Sequence, residues 1–267
     1  MLYVVATPIG NLKDISFRAI EVLSNCDYIL CEDTRTSSVL LNNYEIKKKL
    51  VSYHKFNEAS KCESIAQDLR QGKDVALISD AGMPGISDPG AVIIRYLINA
   101  NLPYTVVPGA SALINAFVLS GYEAPFTFVG FLPEKSKDKK LLLNKLATSQ
   151  FPMVFYVSPH SIQVFFEDIK NAFGDRQVCV VRELTKKFEE VAFTNTSEGY
   201  NGVVKGEFVC IVKGRQEVNQ ELSDEDILTK LNELISTGKT NKEAVAEIAN
   251  IYGIKKNKVY DLSIKNK

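Results

Sequence analysis

No segment of the 267-residue chain reaches the ~18 consecutive apolar residues that a membrane-spanning helix requires. Its opening residues, Met1-Leu2-Tyr3-Val4-Val5-Ala6-Thr7-Pro8, lack the basic stretch of a secretory leader and run straight into a strand-like pattern. A cytoplasmic protein without membrane association is expected. An excess of charge of one sign is also missing. Lys+Arg and Asp+Glu both total 32, which excludes a strongly basic nucleic-acid binder at the level of the whole chain but leaves local patches open. Histidine is scarce: only His54 and His160 occur, far apart, so no metal site is expected. The five cysteines are odd in number, include no Cys-x-x-Cys and lie mostly in apolar runs. They read as buried reduced thiols rather than disulfides or a zinc site. Internal repeats and low-complexity segments are absent, which removes solenoid architectures.

Two nucleotide fingerprints are missing as well. There is no G-x-G-x-x-G, and Gly85-x₄-Gly90 is followed by Ala91-Val92 where a phosphate loop needs Lys-Ser/Thr. Thr237-Gly238-Lys239-Thr240 mimics the end of such a loop, but Glu233 stands where its first glycine belongs. A nucleoside triphosphatase is disfavoured.

What is present is a β-α-β-α rhythm. Short apolar, β-branched-rich runs at 2–6, 27–31, 74–79 and 104–107 alternate with helical spacing at 16–24, 59–71 and 91–100. Such alternation implies parallel strands joined by helical crossovers. The pattern pauses at 121–125. A second series follows, with strands at 126–130, 153–157, 177–182, 188–193 and 207–212 and helices at 139–147 and 161–173. The last two strands are too close for a crossover helix, so a mixed sheet is expected. The fold class is therefore α/β: two α/β domains, 1–120 with a mainly parallel sheet and 121–214 with a mixed one, enclosing a cleft. A helical tail, 222–267, follows, with helices expected at 224–236, 240–252 and 255–264.

Chemistry concentrates in loops that follow strands. The loop 79–90 holds three glycines and two prolines, a stiff backbone able to pass close to a ligand at the carboxyl end of a parallel strand. A tight strand-to-helix turn explains one Gly and one Pro, but not this density. Thr7-Pro8-Ile9-Gly10-Asn11-Leu12 and Val107-Pro108-Gly109-Ala110-Ser111-Ala112 repeat the theme at the same sheet edge, which points to one pocket.

The set TPIGNLKDIS, CEDTRTS, SDAGMPGISDPG, VPGASA, GFLPEKSK and RELTK resembles the tetrapyrrole-methylase fold family over nearly the whole chain. The branch it is most similar to is the one that 2′-O-methylates a cytidine of 16S ribosomal RNA near the decoding site. The resemblance implies S-adenosylmethionine as cofactor, held in the cleft by Pro8, Asp80, Gly82, Met83, Pro84, Gly85, Ile86, Ser111, Ala112, Tyr156 and Glu183. It also implies a homodimer and a substrate within the small ribosomal subunit. Corrin-forming relatives carry Gly-Asp-Pro in the long loop, where this chain has Ala-Gly-Met-Pro, a departure that favours the RNA branch.

Transfer of a methyl group to a ribose hydroxyl needs alignment and a proton acceptor. In Cys31-Glu32-Asp33-Thr34-Arg35, Asp33 or Glu32 could supply the acceptor and Arg35 could hold a phosphate; Asp33 starting a helix is the competing reading. His54, Asn57 and Glu58 are further substrate-contact candidates, with helix-start roles equally open for the last two. Lys135 and Lys137 lie in a lysine-rich run beside the proposed pocket. From Gly253 onward there are five lysines and one aspartate, including Lys255 and Lys256, around a helix-turn-helix-like segment at Tyr252-Gly253-Ile254. A tetrapyrrole C-methyltransferase and a non-catalytic RNA-binding protein are the rival readings.

Overall fold

In the computed structural model, residues 1–215, 223–252 and 254–265 are described. They fall in two compact units, Met1–Arg215 and Gln216–Lys267. The first unit begins with β1 (Leu2–Val5), α1 (Phe17–Asn25), β2 (Tyr28–Cys31), α2 (Thr34–Asn43), β3 (Lys49–Ser52), α3 (Glu58–Arg70), β4 (Val75–Leu77), α4 (Ala91–Asn99) and β5 (Tyr104–Val107). All five strands are parallel, in the order β3-β2-β4-β1-β5. Side chains alternate along each strand, and here both faces are covered. Val4, Leu30 and Leu77 pack with Ile65 and Leu69 of α3 and Ile93 and Leu97 of α4. Their neighbours Val5, Ile29 and Ala76 pack with Ala19 and Leu23 of α1 on the other side. That double burial is why these strands read as unbroken apolar runs.

A second sheet follows: β6 (Thr127–Phe131), β7 (Met153–Val157), β8 (Gln177–Arg182), β9 (Glu190–Asn195) and β10 (Phe208–Val212), in the order β6-β7-β10-β8-β9. Only β6 and β7 pair in parallel; the others run antiparallel, so the sheet is mixed as expected. One face is covered by α6 (Ser136–Leu146) and α7 (Ile162–Phe173), whose Leu143, Phe165, Phe166 and Ile169 meet Phe155, Val178 and Cys210. The other face packs on α5 (Ala112–Ser120), through Ala116 and Phe117 against Val154, Cys179, Val181 and Ile211. The chain thus leaves its first sheet after β5 and lays the next helix on the second sheet. Ile9, from the loop after β1, joins the same cluster.

α5 is an element that periodicity does not reveal. In Ala-Leu-Ile-Asn-Ala-Phe-Val-Leu-Ser apolar residues occupy every face: Ala116 and Phe117 are buried while Ile114, Val118 and Leu119 are exposed. Without a polar face there is no helical stripe to read. All five cysteines are buried and unpaired.

The second unit contains α8 (Asp224–Ser236), α9 (Asn241–Tyr252) and α10 (Lys256–Lys265), close to the expected bounds. Ser223 caps α8: its Oγ accepts from Asp226 N at 3.1 Å while Asp226 Oδ2 accepts from Ser223 N at 3.2 Å, satisfying two otherwise orphaned donors. Ile227, Leu231, Ala244, Val245, Ile248 and Val259 form its core. The expected turn residue Gly253, the stretch 216–222 and the side chain of Ile251 lie outside the described residues. No helix among the described residues is long and apolar enough to cross a membrane.

Candidate active site

The strand order places β4, β1 and β5 side by side, so their three Pro/Gly loops emerge together at the carboxyl edge of the first sheet. The first two are stitched to each other. Thr7 N donates to Gly82 O at 2.9 Å, Gly82 N donates to Thr7 O at 3.1 Å, and Thr7 Oγ1 donates to Ser79 O at 3.2 Å. Gly82 has φ of +80°, and a Cβ there would stand 3.2 Å from Ile9 Cγ2. Only glycine meets both demands without strain.

Facing these loops are Phe131 of β6, Tyr156 of β7, Val181 of β8 and Val209 of β10, and the two walls enclose a cavity of about 450 Å³. Tyr156 sets its ring edge-on to Phe128 and Phe131, with centroids 5.2 and 5.5 Å away. Of the expected cofactor residues, Asp80, Gly82, Met83, Ile86, Ser111, Ala112 and Tyr156 line this cavity. Pro8, Pro84, Gly85 and Glu183 are not in its wall. Gly85 turns its free side to Gly90 and Ala91, packing the loop on itself.

Glu183 braces the segment that fastens the two halves of the unit. It adopts φ of +50°, and its Oε1 accepts from Lys186 Nζ and from Glu207 N, both at 2.9 Å. This bent segment reaches the loop after β1: Asn11 N donates to Thr185 Oγ1 at 3.0 Å, and a Cβ on Gly10 would fall 2.5 Å from Lys186 Cγ. The Arg-Glu-Leu-Thr-Lys motif therefore holds the cavity's first wall against its second, and Leu184 contributes the lining.

A second, more polar cavity of about 530 Å³ adjoins the first. Glu32 and Asp80 line both, and Asp33, Arg35, His54, Lys55 and Phe56 complete the second. Burial, followed by repulsion from Asp80, pushes the Glu32 carboxyl above its ordinary value. Burial likewise raises Asp80, against the opposing hydrogen bond from Asp33 N. Asp33 has a different environment. Its Oδ1 accepts from Arg35 N at 2.8 Å, which makes it the N-cap of α2, and its Oδ2 accepts from Arg35 Nη2 at 2.7 Å. Those bonds hold its carboxyl down at about 2, and the Arg35 guanidinium, 89% exposed, gives Nε and Nη2 to the pair.

The His54 turn is tightly ordered. Asn57 Oδ1 accepts from His54 N at 2.9 Å, and Asn57 Nδ2 lies 3.1 Å from His54 Nε2. The other ring nitrogen, Nδ1, is a buried atom without a partner among the described residues. Asn57 is the N-cap residue of α3, and Glu58, in its first turn, accepts from Gly90 N at 3.4 Å. Lys135 and Lys137 are exposed at the start of α6, outside both cavities. Lys255 and Lys256 are exposed in the second unit. Among the described residues no group of three or more His, Cys, Asp or Glu is arranged to hold a metal ion.

Asp88, Phe131, Ser158 and Val209 also line the cavity, and nothing in the sequence reading singles them out. Asp88 had a signal, an acid between Ser87 and Pro89 in the glycine-rich loop, whereas Val209, in a strand buried on both faces, has none. Burial, with added repulsion from Glu32 and Asp80, pushes the Asp88 carboxyl up to about 6. An acid whose folded-state pKa exceeds its ordinary 3.8 keeps its proton longer when folded. Folding stability then falls as pH rises from about 4 through about 6. Asp88→Asn removes that fall. The urea midpoint of the variant should gain on wild type across this window and hold the gain above it; a difference independent of pH would refute the assignment.

A family model for the tetrapyrrole (corrin/porphyrin) methylases matches residues 1–199. The chain is 40% identical over 271 residues to "Ribosomal RNA small subunit methyltransferase I" of Bacillus subtilis (strain 168), covering 98% of this chain and 93% of the relative. The protein of the same name from Mycoplasmopsis pulmonis (strain UAB CTIP) is 47% identical over 215 residues, 79% of this chain and 96% of the relative. Among solved structures, the methyltransferase CobJ superposes with a TM-score of 0.62 at 15% identity, over 80% of this chain and 95% of that one. Uroporphyrin-III C-methyl transferase from Thermus thermophilus, complexed with S-adenyl homocysteine, gives 0.58 at 15% identity, over 79% and 96%. The two-sheet architecture, the cavity between its walls and the near full-length identity agree: the chain belongs to the tetrapyrrole (corrin/porphyrin) methylase family, in the branch of the ribosomal RNA small subunit methyltransferases I.

Proposed function

We propose that this chain is an S-adenosylmethionine-dependent methyltransferase that modifies the 2′-hydroxyl of a cytidine in 16S ribosomal RNA near the decoding site. The observation that carries the reading is the junction of the two cavities at Glu32 and Asp80. One cavity is the more enclosed and mainly apolar, the other more open and more polar, and a group passing between them passes two carboxylates. The first cavity suits the cofactor: its size matches small-molecule sites, Tyr156, Met83 and Val209 offer surface to an adenosine, and Asp80 and Asp88 offer negative charge to a sulfonium and an amino group.

Bound S-adenosylmethionine supplies a methyl carbon made electrophilic by its sulfonium. The residues supply the rest. The walls fix that end of the reaction against the loop carrying Gly82, and Ile9, Val181 and Val209 exclude water. Glu32 would accept the proton of the ribose hydroxyl as the ribose oxygen takes the methyl carbon and the carbon–sulfur bond breaks to release a neutral thioether, a role for which its raised pKa suits it. Asp33 and Arg35 hold each other and start α2, which places Glu32 one residue before a capped helix. The division between 1–120 and 121–214 has the same purpose in this reading, one sequence half for each main wall. An rRNA substrate assigns the enzyme to the cytoplasm. For the homodimer, exposed Ile114, Val118 and Leu119 of α5 and Tyr104 and Val106 of the edge strand β5 offer apolar surface.

The test is transfer of labelled methyl groups to small ribosomal subunits that lack the modification, with uroporphyrinogen as the rival acceptor. Label on the porphyrinogen alone overturns the reading. No cofactor binding in calorimetry would leave the non-catalytic alternative.

The family model matches residues 1–199 and ends before 216–267. This supports methyl transfer by residues 1–215, with Lys255 and Lys256 of the second unit and Lys135 and Lys137 of the first adding affinity for phosphates. A chain ending at Arg215 should bind cofactor within about twofold of the full chain. It should bind RNA roughly tenfold more weakly at low salt, the gap closing as salt rises. Equal RNA affinity of the two would make the helical unit a structural appendage.

A further inference from the structure

Phe56 is 94% exposed. An aromatic ring left in water contributes nothing to folding, and this one is not on a loose loop. It sits in the turn that Asn57 locks to His54 through its side-chain amide, with Asn57 N and Glu58 N both donating to His54 O at 2.9 and 3.0 Å. The His54 ring stands edge-on to it, centroids 6.1 Å apart. Beside it, Lys55 is exposed and has no ion pair among the described residues. Both line the open cavity that meets the cofactor cavity at Glu32 and Asp80. Carboxylates at the junction repel phosphates but accept hydroxyl protons, while the outer part pairs a flat apolar face with a free cation. That is the composition of a single-strand site: a ring for one base, a cation for the adjoining phosphate, and acceptors for a sugar.

We propose that Phe56 is a stacking platform for an unpaired base of the RNA substrate, with Lys55 on the neighbouring phosphate, so that the adjacent ribose is presented to Glu32. The platform makes the enzyme selective for single-stranded RNA, because a base inside a duplex offers no free face. This rests on the rRNA reading above and adds to it a subsite and a conformational requirement.

The chain contains no tryptophan, so Phe56→Trp places a single indole in the platform, excitable apart from the tyrosines. Its emission should be quenched saturably by a cytidine-rich single-stranded RNA 12-mer and much less by the same sequence in a duplex. Phe17→Trp is the control: Phe17 is also 94% exposed but lines neither cavity, and its emission should not respond. In methylation of undermethylated small subunits, Phe56→Ala should raise KM roughly 5- to 150-fold, the span expected for loss of one stacked base, with kcat within about threefold. Phe56→Trp should restore KM and Phe56→Leu should not. Since the ring is exposed, all these variants keep wild-type stability. Methyl transfer by wild type with no quenching in Phe56→Trp, or Phe56→Leu equal to Phe56→Trp, overturns the platform alone. Quenching without methyl transfer to the subunit overturns the function and leaves an RNA-binding platform.

Discussion

Glu32→Gln is expected to slow methyl transfer by roughly 10²- to 10⁴-fold, the usual contribution of a positioned general base, while cofactor affinity stays within about twofold. The amide keeps the shape of the carboxylate and its place where the two cavities meet, but cannot take the hydroxyl proton. A ribose hydroxyl is neutral at pH 7 and a weak nucleophile, so loss of the acceptor falls on kcat. The pH dependence follows from the raised carboxyl of Glu32. As pH rises, the deprotonated, active fraction appears later than it would for an unperturbed glutamate, so the wild-type rate climbs to its plateau above the usual carboxylate range. The variant has no such limb. Equal rates for the two at pH 7.5, or the same acid limb in the variant, would remove Glu32 from the chemistry.

The neighbouring acid provides the contrast. Asp33 is held down at about 2 by the Arg35 guanidinium and by backbone donors at the start of α2, and a base that weak takes up a proton poorly. Asp33→Ala should therefore lower kcat far less than Glu32→Gln. The two side by side in Cys-Glu-Asp-Thr-Arg are indistinguishable by type and spacing. What separates them is that residue 32 ends the turn out of β2 facing the cavity, while residue 33 already caps the next helix.

The same distinction runs through the fold. Loops after β1, β4 and β5 were legible because Pro and Gly density marks backbone held in special conformations, and an apolar run before each marks a parallel strand. That they share a cavity depends on strand order β4-β1-β5; the β-α-β alternation puts the three loops at one edge of a parallel sheet but does not set that order. Contributions from the second sheet were not legible in that way. Val181 and Val209 belong to strands buried on both faces, where nothing in the pattern says which residue meets a ligand. α5 was hidden by being apolar all round. The resemblance brought Glu183 to notice without its geometry: its positive φ and its bonds to Lys186 and Glu207 N brace the bend whose Thr185 and Lys186 meet the loop after β1.

Gly82→Val tests the loop itself, and Gly85 supplies its control. The two glycines have nearly the same φ, +80° and +79°, so alanine at either position pays a similar backbone strain, about 1–2 kcal/mol. They differ in what the new atoms meet. At Gly82 a Cβ stands 3.2 Å from Ile9 Cγ2, in the cavity wall, and the residue's N–H and C=O carry the bridge to Thr7. At Gly85 the nearest atom is Ala91 N at 3.5 Å, away from the cavity. Both alanine variants should lose similar stability in urea, but only Gly82→Ala should weaken the cofactor. Gly82→Val, with a branched Cβ pressed on Ile9, should weaken it by tenfold or more in calorimetry. If strain alone governed the loop, Gly85→Ala would lose as much affinity as Gly82→Ala. A larger loss at Gly82 would locate the effect in the wall shared by Gly82 and Ile9.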